Sequence, residues 1–177
     1  VHQDCDLPEG VRLVHGELLG EGAPLRLVDG QDEILNLPVH REDMDRELAS
    51  LERKAAAGAD FIFTQSVFNP EAVERMHRRL GGFPLPVIMS VLPLRSLRHA
   101  EFLHNEVPGI VVPEEVRRQL RAAGEDNEEA VGLALARELL VAVAPLVGGA
   151  YVIPPFGHYD VVEPLFKGLE TSVLGHR

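Results

Sequence analysis

Cysteine is all but absent: Cys5 stands alone among 177 residues. A single thiol excludes an intramolecular disulfide and fits a reducing, cytoplasmic compartment. Long apolar runs are missing as well. The most apolar stretch, Val131 to Val147, is interrupted by Arg137 and Glu138 and falls short of the ~20 residues a membrane span takes. Positive charge is scarce, with a net charge of −11, which argues against a nucleic-acid partner because such a partner needs a basic footprint. Arg117, Arg118 and Arg121 are explained by a helix end instead of a basic stripe. No Gly-rich dinucleotide loop is found, since Gly81-Gly82 follows a predicted helix and not a strand. The polar, acidic start Val-His-Gln-Asp-Cys-Asp is no signal peptide and carries no initiator methionine. A processed chain and a piece of a longer one both fit that start.

What is present is ordinary for a globular domain: 45% hydrophobic and 25% charged residues in a chain long enough to bury a core. From residue 41 the punctuation is regular. Met44, Leu48, Leu51 and Ala55 lie on one face of a helix that Gly58 can stop. Phe61-Ile62-Phe63 predicts a short buried parallel strand, with Thr64 and Gln65 at its C-terminal end. Asn69-Pro70-Glu71 opens a second helix with Arg78 and Arg79 in its last turn. Pro86 to Val91 predicts a second strand, and Ser96 to Asn105 a helix ended by Pro108-Gly109. Pro113-Glu114-Glu115 starts the next helix. Asp126 with Glu129 predicts a capping box for a long helix to about Ala144. Ala150 to Ile153 is a third strand, Pro154 to Gly157 a rigid loop, and Tyr159 onward a last helix. Residues 1–40 are poorly legible: Val11–Leu19 and Leu25–Val28 read as a hairpin or irregular strands, and Glu33–Val39 as a strand. Residues 41–177 read as three or four βα units of an α/β protein.

Ligands bind at the C-terminal ends of parallel strands, so Thr64 and Gln65 are the first candidates for chemistry. The bland alternative for Gln65 is a hydrogen bond to a loop backbone. Lys54 lies on the rim of an apolar stripe, where a snorkelling lysine is the default, and Glu47 reads as a solvated helix residue. Eight histidines invite a metal reading, but His99 and His104 diverge on one helix and nothing completes a zinc spacing. His77 reads as a surface residue, and Cys5 has no assigned base to make it a nucleophile.

Four stretches then carry a resemblance. They are Leu51-Glu-Arg-Lys54 followed by Gly58-Ala-Asp-Phe-Ile-Phe-Thr-Gln65; Pro86 to Pro93; Ser96-Leu-Arg-His-Ala-Glu-Phe102 with Asn105-Glu-Val-Pro-Gly109; and Tyr151 to Tyr159. Over residues 41–166, in order and spacing, they resemble the C-terminal half of the methylenetetrahydrofolate reductase family. The third and fourth are closest to the reductase part of proteins that fuse it to a homocysteine S-methyltransferase. The resemblance implies a partial TIM barrel, the C-terminal part of a (β/α)8 barrel. It also implies an FAD flavoprotein of one-carbon metabolism and methionine biosynthesis, with NAD(P)H as co-substrate. In that chemistry NAD(P)H reduces the flavin, which then passes hydride to the bridging methylene carbon of 5,10-methylenetetrahydrofolate. Carried over one position at a time, the family's flavin-contacting lysine falls on Lys54 and an acidic residue near the flavin on Glu47. Its folate-contacting glutamine falls on Gln65, further folate contacts on His99 and Leu103, and a substrate-contacting arginine on His158.

The chain departs from that pattern in three ways. His158 replaces a guanidinium fork by an imidazole, and His99 stands where relatives have glutamine or asparagine. The family's catalytic glutamate on the first barrel strand and its flavin-tuning aspartate on the fourth find no counterpart, although Ile34 to Pro38 is a candidate for the end of that fourth-strand region. A complete barrel takes ~250 residues, so this chain is too short to close one. The expected partner is therefore another copy, or a chain supplying the missing strands. Two rivals remain open: a non-catalytic half-barrel remnant that needs such a partner, and a flavodoxin-like binding domain with helices on both faces of its sheet.

Overall fold

The computed structural model describes residues 41–56, 59 and 61–167. The readings made for residues 1–40, for Cys5 and for the Gly58 stop lie outside them. In chain order the elements are α1 (Arg41–Ala56), β1 (Ile62–Ser66), α2 (Pro70–Leu80), β2 (Val87–Val91), α3 (Leu97–Glu106), α4 (Glu114–Ala123), α5 (Glu128–Val143), β3 (Gly149–Val152) and α6 (Val162–Phe166). Two 3₁₀ turns, Pro155–Gly157 and Tyr159–Val161, carry the chain from β3 into α6. The rigid loop and last helix expected there are thus two tight turns and one short helix.

Local chemistry explains most boundaries. The Asn69 side chain accepts from Ala72 N at 3.2 Å, Pro70 takes the first helical position, and Gly81 closes α2 at φ 66°. Ser96 caps α3 by accepting from His99 N at 3.0 Å. The capping box expected at Asp126 and Glu129 does not form. Asn127 occupies the N-cap of α5 without a side-chain cap bond, and its amide instead donates to the Ala123 carbonyl at 3.2 Å. The glutamates that follow are recruited by another element.

The three strands are parallel and lie in the order β1-β2-β3. Ile62 pairs with Val87, Phe63 with Ile88, and Ser90 with Tyr151. Ile62, Val87, Met89 and Val91 pack with residues of α1, α2, α5 and α6: Leu51, Val73, Met76, Leu139, Val143 and Leu165. Phe63, Ile88 and Tyr151 alternate with these and so lie on the opposite face. Among the described residues the helices of these clusters cover one face of the sheet. A flavodoxin-like sheet would carry them on both.

A further cluster joins α3 to α4 through Ala100, Leu103, Val116 and Leu120, beneath Leu92 and Leu94 that follow β2. Glu101 accepts from Arg117 at 3.0 Å and lies 3.5 Å from Arg121, which ties the same two helices on their outer side. The long helix α5 serves both cores. Ala136, Leu139, Leu140 and Val143 face the sheet, while Val131 and Leu135 pack on the α3–α4 cluster. Arg137, which breaks the apolar run, donates to the carbonyls of Pro164 and Leu165 at 3.3 and 3.2 Å and holds α6.

The seating of α5 is set by Gly132, where an added Cβ would stand 1.8 Å from the Leu94 carbonyl oxygen. Gly132→Ala should therefore destabilise the fold by about 2 kcal/mol in urea titration. The ~1 kcal/mol that alanine gains in a helix is too small to offset moving a backbone carbonyl.

Candidate functional site

Three parallel strands end at one edge, and that edge collects the residues of interest. β1 does not run out after Phe63. It continues through Thr64, Gln65 and Ser66 with one extra residue relative to β2, because Phe63 pairs with Ile88 but Ser66 with Ser90. Such a bulge breaks the ladder locally and leaves backbone groups to be satisfied otherwise. Thr64 Oγ1 accepts the Ser90 N–H at 3.0 Å, and the Tyr151 hydroxyl donates to the Thr64 carbonyl at 3.0 Å. Tyr151 pairs with Ser90, so its ring crosses Ser90 to reach β1, and Ser90 is fully buried. Ser66 Oγ and Ser90 Oγ lie 3.1 Å apart beside it. Thr64, a first candidate for chemistry in the sequence, is therefore a buried brace.

Gln65 is the residue the bulge sets apart. Its side chain packs on Gly109, in the α3–α4 connection, where φ is +81° and a Cβ would meet Gln65 Oε1 at 2.7 Å. Gln65 Oε1 is buried and has no hydrogen-bond partner among the described residues. An amide acceptor left in that state costs about 1–3 kcal/mol unless something donates to it. Its acceptor capacity is unused, and a ligand N–H would reach it once the side chain turns off Gly109.

His99 sits in the first turn of α3, half-buried, at the end of the turn that follows β2. Arg95 N donates to its Nδ1 at 3.4 Å. Burial, and then the Arg95 guanidinium, hold the imidazole below its ordinary range. The ring is therefore neutral at pH 7. Phe156, from the turn after β3, lies against it at 5.2 Å between centroids. Phe156 is 77% exposed and adopts φ 54°, a left-handed conformation that costs a non-glycine residue of order 1 kcal/mol. His158 follows, exposed, with Nδ1 3.8 Å from Asp160 Oδ1.

The other sequence candidates fall elsewhere. Leu103 is buried in the α3–α4 cluster, which limits any ligand contact to the margin of its side chain. Phe102 next to it presents the larger apolar surface, 57% exposed. Glu47 and Lys54 lie two turns apart on α1; the Lys54 side chain lies outside the described residues. The buried contact of α1, Leu51, is with Ile62 and Val87 near the starts of the strands, the opposite end from Gln65. A cleft of about 360 Å³ opens between Arg95, Glu129, Leu133 and Asp160. It borders the turns that carry His99 and His158, while Gln65 does not line it. Among the described residues no group of three or more His, Cys, Asp or Glu could hold a metal ion, and no helix is long and apolar enough to cross a membrane.

Residues 33–145 match the family model of methylenetetrahydrofolate reductase, nearly two thirds of the chain and the whole stretch that carries Gln65 and His99. The chain belongs to that family. Methylenetetrahydrofolate reductase 2 of Schizosaccharomyces pombe (strain 972 / ATCC 24843) is 31% identical over 99 residues, covering 52% of this chain and 15% of that protein. An uncharacterised protein from Clostridium thermocellum that binds two copies of 5-methyl-5,6,7,8-tetrahydrofolic acid superposes with a TM-score of 0.55 at 16% identity. The alignment covers 73% of this chain and 49% of that one. At that identity the likeness speaks for the fold. The chain spans half or less of each of these relatives.

Membership leaves Tyr151, Ser90 and Phe156 as residues that the sequence reading did not single out. Only the period-two position of Tyr151 in its strand points to the face away from the helices.

Two outcomes follow from this geometry. Thr64→Val should cost about 1–3 kcal/mol in thermal or urea unfolding, because the buried Ser90 N–H loses its acceptor, while Thr64→Ser should recover most of it. His99 gives a pH signature. Its affinity for protons is lowered by folding, so the unfolded chain binds the proton first as pH falls below 6.5. Stability should drop from that pH down through the lowered value, and His99→Gln should remove this component from urea midpoints compared across the window.

Proposed function

We propose that this chain forms part of a flavin-dependent reductase that converts 5,10-methylenetetrahydrofolate to 5-methyltetrahydrofolate, and that its C-terminal strand edge holds the folate. The observation that carries the proposal is the buried, unpartnered Oε1 of Gln65 at the bulged end of β1 in a chain of this family. A pterin offers ring N–H and amino donors, which is what a lone amide acceptor needs. His99 and His158 are the further folate contacts, with Leu103 at the margin. The one-faced sheet in sequential strand order fits three consecutive units of a TIM barrel, whose ligands bind at this edge. The folate protein from Clostridium thermocellum supports the same substrate class.

The cofactor would be FAD, which once reduced by NAD(P)H would supply the hydride. The described edge does not fit a flavin diphosphate by itself: it presents neutral groups, and Arg95 there is engaged by Glu129 at 3.0 and 3.2 Å. In the proposal Lys54 and Glu47 on α1 serve the flavin, and the remainder of its site comes from strands outside the described residues. What the described residues do is bind and orient. Gln65 accepts from the pterin, and Thr64, Ser90 and Tyr151 fix the backbone that carries it. The reaction is placed in the cytoplasm, in one-carbon metabolism, as a homo-oligomer or in association with a chain that completes the barrel.

A second reading is favoured by the sheet face that no described helix covers: a non-catalytic half-barrel that needs another chain. Purified protein separates the two. Visible flavin absorbance supports the reductase; a colourless sample that stays so with added FAD supports the remnant. Gln65→Ala should weaken 5-methyltetrahydrofolate binding about tenfold in calorimetry, the size of one hydrogen bond, without changing flavin content. Unchanged affinity would remove Gln65 from the site.

A further inference from the structure

The segment that leads from β2 into α3 is gripped by α5 at Leu94, at Arg95 and at Leu97, the first residue of α3. Gly132 lies against the Leu94 carbonyl, so close that a Cβ would stand 1.8 Å from the oxygen. Glu129 takes the Arg95 guanidinium with both carboxylate oxygens, at 3.0 and 3.2 Å. Glu128, only 9% exposed, accepts from Leu97 N at 3.1 Å. Ser96, between Arg95 and Leu97, caps His99 N at 3.0 Å. Glu128 is a costly residue to bury, and its carboxylate is used on the first backbone N–H of α3 instead of on its own helix.

The consequence falls on His99. The Arg95 N–H donates to Nδ1, so Nδ1 must be the lone-pair nitrogen and the single proton of the neutral ring must sit on Nε2. Glutamine or asparagine at this position can donate or accept by turning its amide. A histidine fixed in this way can only donate.

We propose that Glu128 is a positioning residue: by holding the Leu94–Leu97 turn it keeps the Arg95 N–H on His99 Nδ1, and thereby makes His99 a neutral, donor-only contact that selects a carbonyl oxygen or unprotonated ring nitrogen of the ligand. The role of His99 toward a ligand rests on the folate reading above; the tautomer and its control by α5 do not. The charged and titratable groups facing this turn are Arg95 on the turn itself, Glu128 and Glu129 from α5, Asp126 just before that helix, and Asp160 across the cleft. The segment after β3 adds Phe156, which is uncharged, and His158 paired with Asp160. Glu129 offsets the Arg95 charge, so the neutral ring is favoured mainly by burial and by the N–H already occupying Nδ1.

The test uses the full chain labelled with ¹⁵N-histidine. The His99 ring should report the Nε2–H tautomer, and Glu128→Ala should convert it to a mixture of tautomers and raise its titration toward the ordinary histidine value. Glu128→Gln, which keeps an acceptor for Leu97 N, should restore the wild-type signature. If Glu128→Ala lowers stability but leaves tautomer and titration unchanged, Glu128 is merely structural and the proposal is overturned. Binding of 5-methyltetrahydrofolate is measured in parallel. A loss of about fivefold or more in Glu128→Ala, recovered in Glu128→Gln, supports the ligand role. Unchanged binding in Glu128→Ala overturns it. Absence of binding by the wild type overturns the folate reading while the nuclear-resonance result still decides the positioning role.

Discussion

The approach of α5 to the Leu94 carbonyl is the constraint from which most of the described architecture follows. At that distance only a residue without Cβ can occupy position 132. Once it does, α5 lies deep enough to serve two cores, the sheet face through Leu139, Leu140 and Val143 and the α3–α4 cluster through Val131 and Leu135. A helix held this low also brings its first turn to the C-terminal side of β2. Glu128 and Glu129 then reach Leu97 N and Arg95. One missing side chain thus couples hydrophobic packing to the polar geometry of the strand edge.

The edge has a second constraint of its own in the extra residue of β1. A regular strand would alternate Thr64 and Gln65 between the two faces, one toward helices and one away. The bulge interrupts that alternation, turns Thr64 into a hydrogen-bond acceptor for the neighbouring strand, and leaves Gln65 against Gly109 with its oxygen unpartnered. Replacing ladder bonds by a threonine hydroxyl and a tyrosine hydroxyl keeps the backbone paired through the irregularity. The net contribution of each bond is modest, about 1 kcal/mol. Their value lies in fixing where the next side chain goes.

Elements whose boundaries are set by local chemistry were legible from residues alone. Asn69-Pro70 and Gly81 delimit α2, and Ser96 begins α3, because caps and left-handed glycines act within one turn. The start of α5 was misread for the complementary reason. Asp126 and Glu129 have the spacing of a capping box, but a bonded partner across the fold competes successfully for the glutamate. The polar tail of β1 was equally opaque: nothing in Thr-Gln-Ser announces a bulge, and Thr64 became a brace only once Ser90 was beside it. Gln65 is a candidate from its strand end as well as from the family resemblance, His99 and His158 from the resemblance alone, and the fold places all three on strand ends or turns of one edge. Leu103, placed by the same resemblance, is mostly committed to packing, which a position in a motif does not reveal.

The sheet carries the remaining argument. Parallel sheets are stable with both faces covered, unlike antiparallel ones that can leave a face to water. Here Phe63 lies edge-on to Phe61 at 5.0 Å and to Tyr151 at 5.3 Å, forming an aromatic row on the face away from the helices. A face of that composition is suited to an interior. In the proposed barrel it would be the inner wall, filled by side chains of the strands opposite. A flavodoxin-like alternative would cover the same face with helices. The aromatic row therefore sets a requirement of its own: whatever completes the sheet must cover this face.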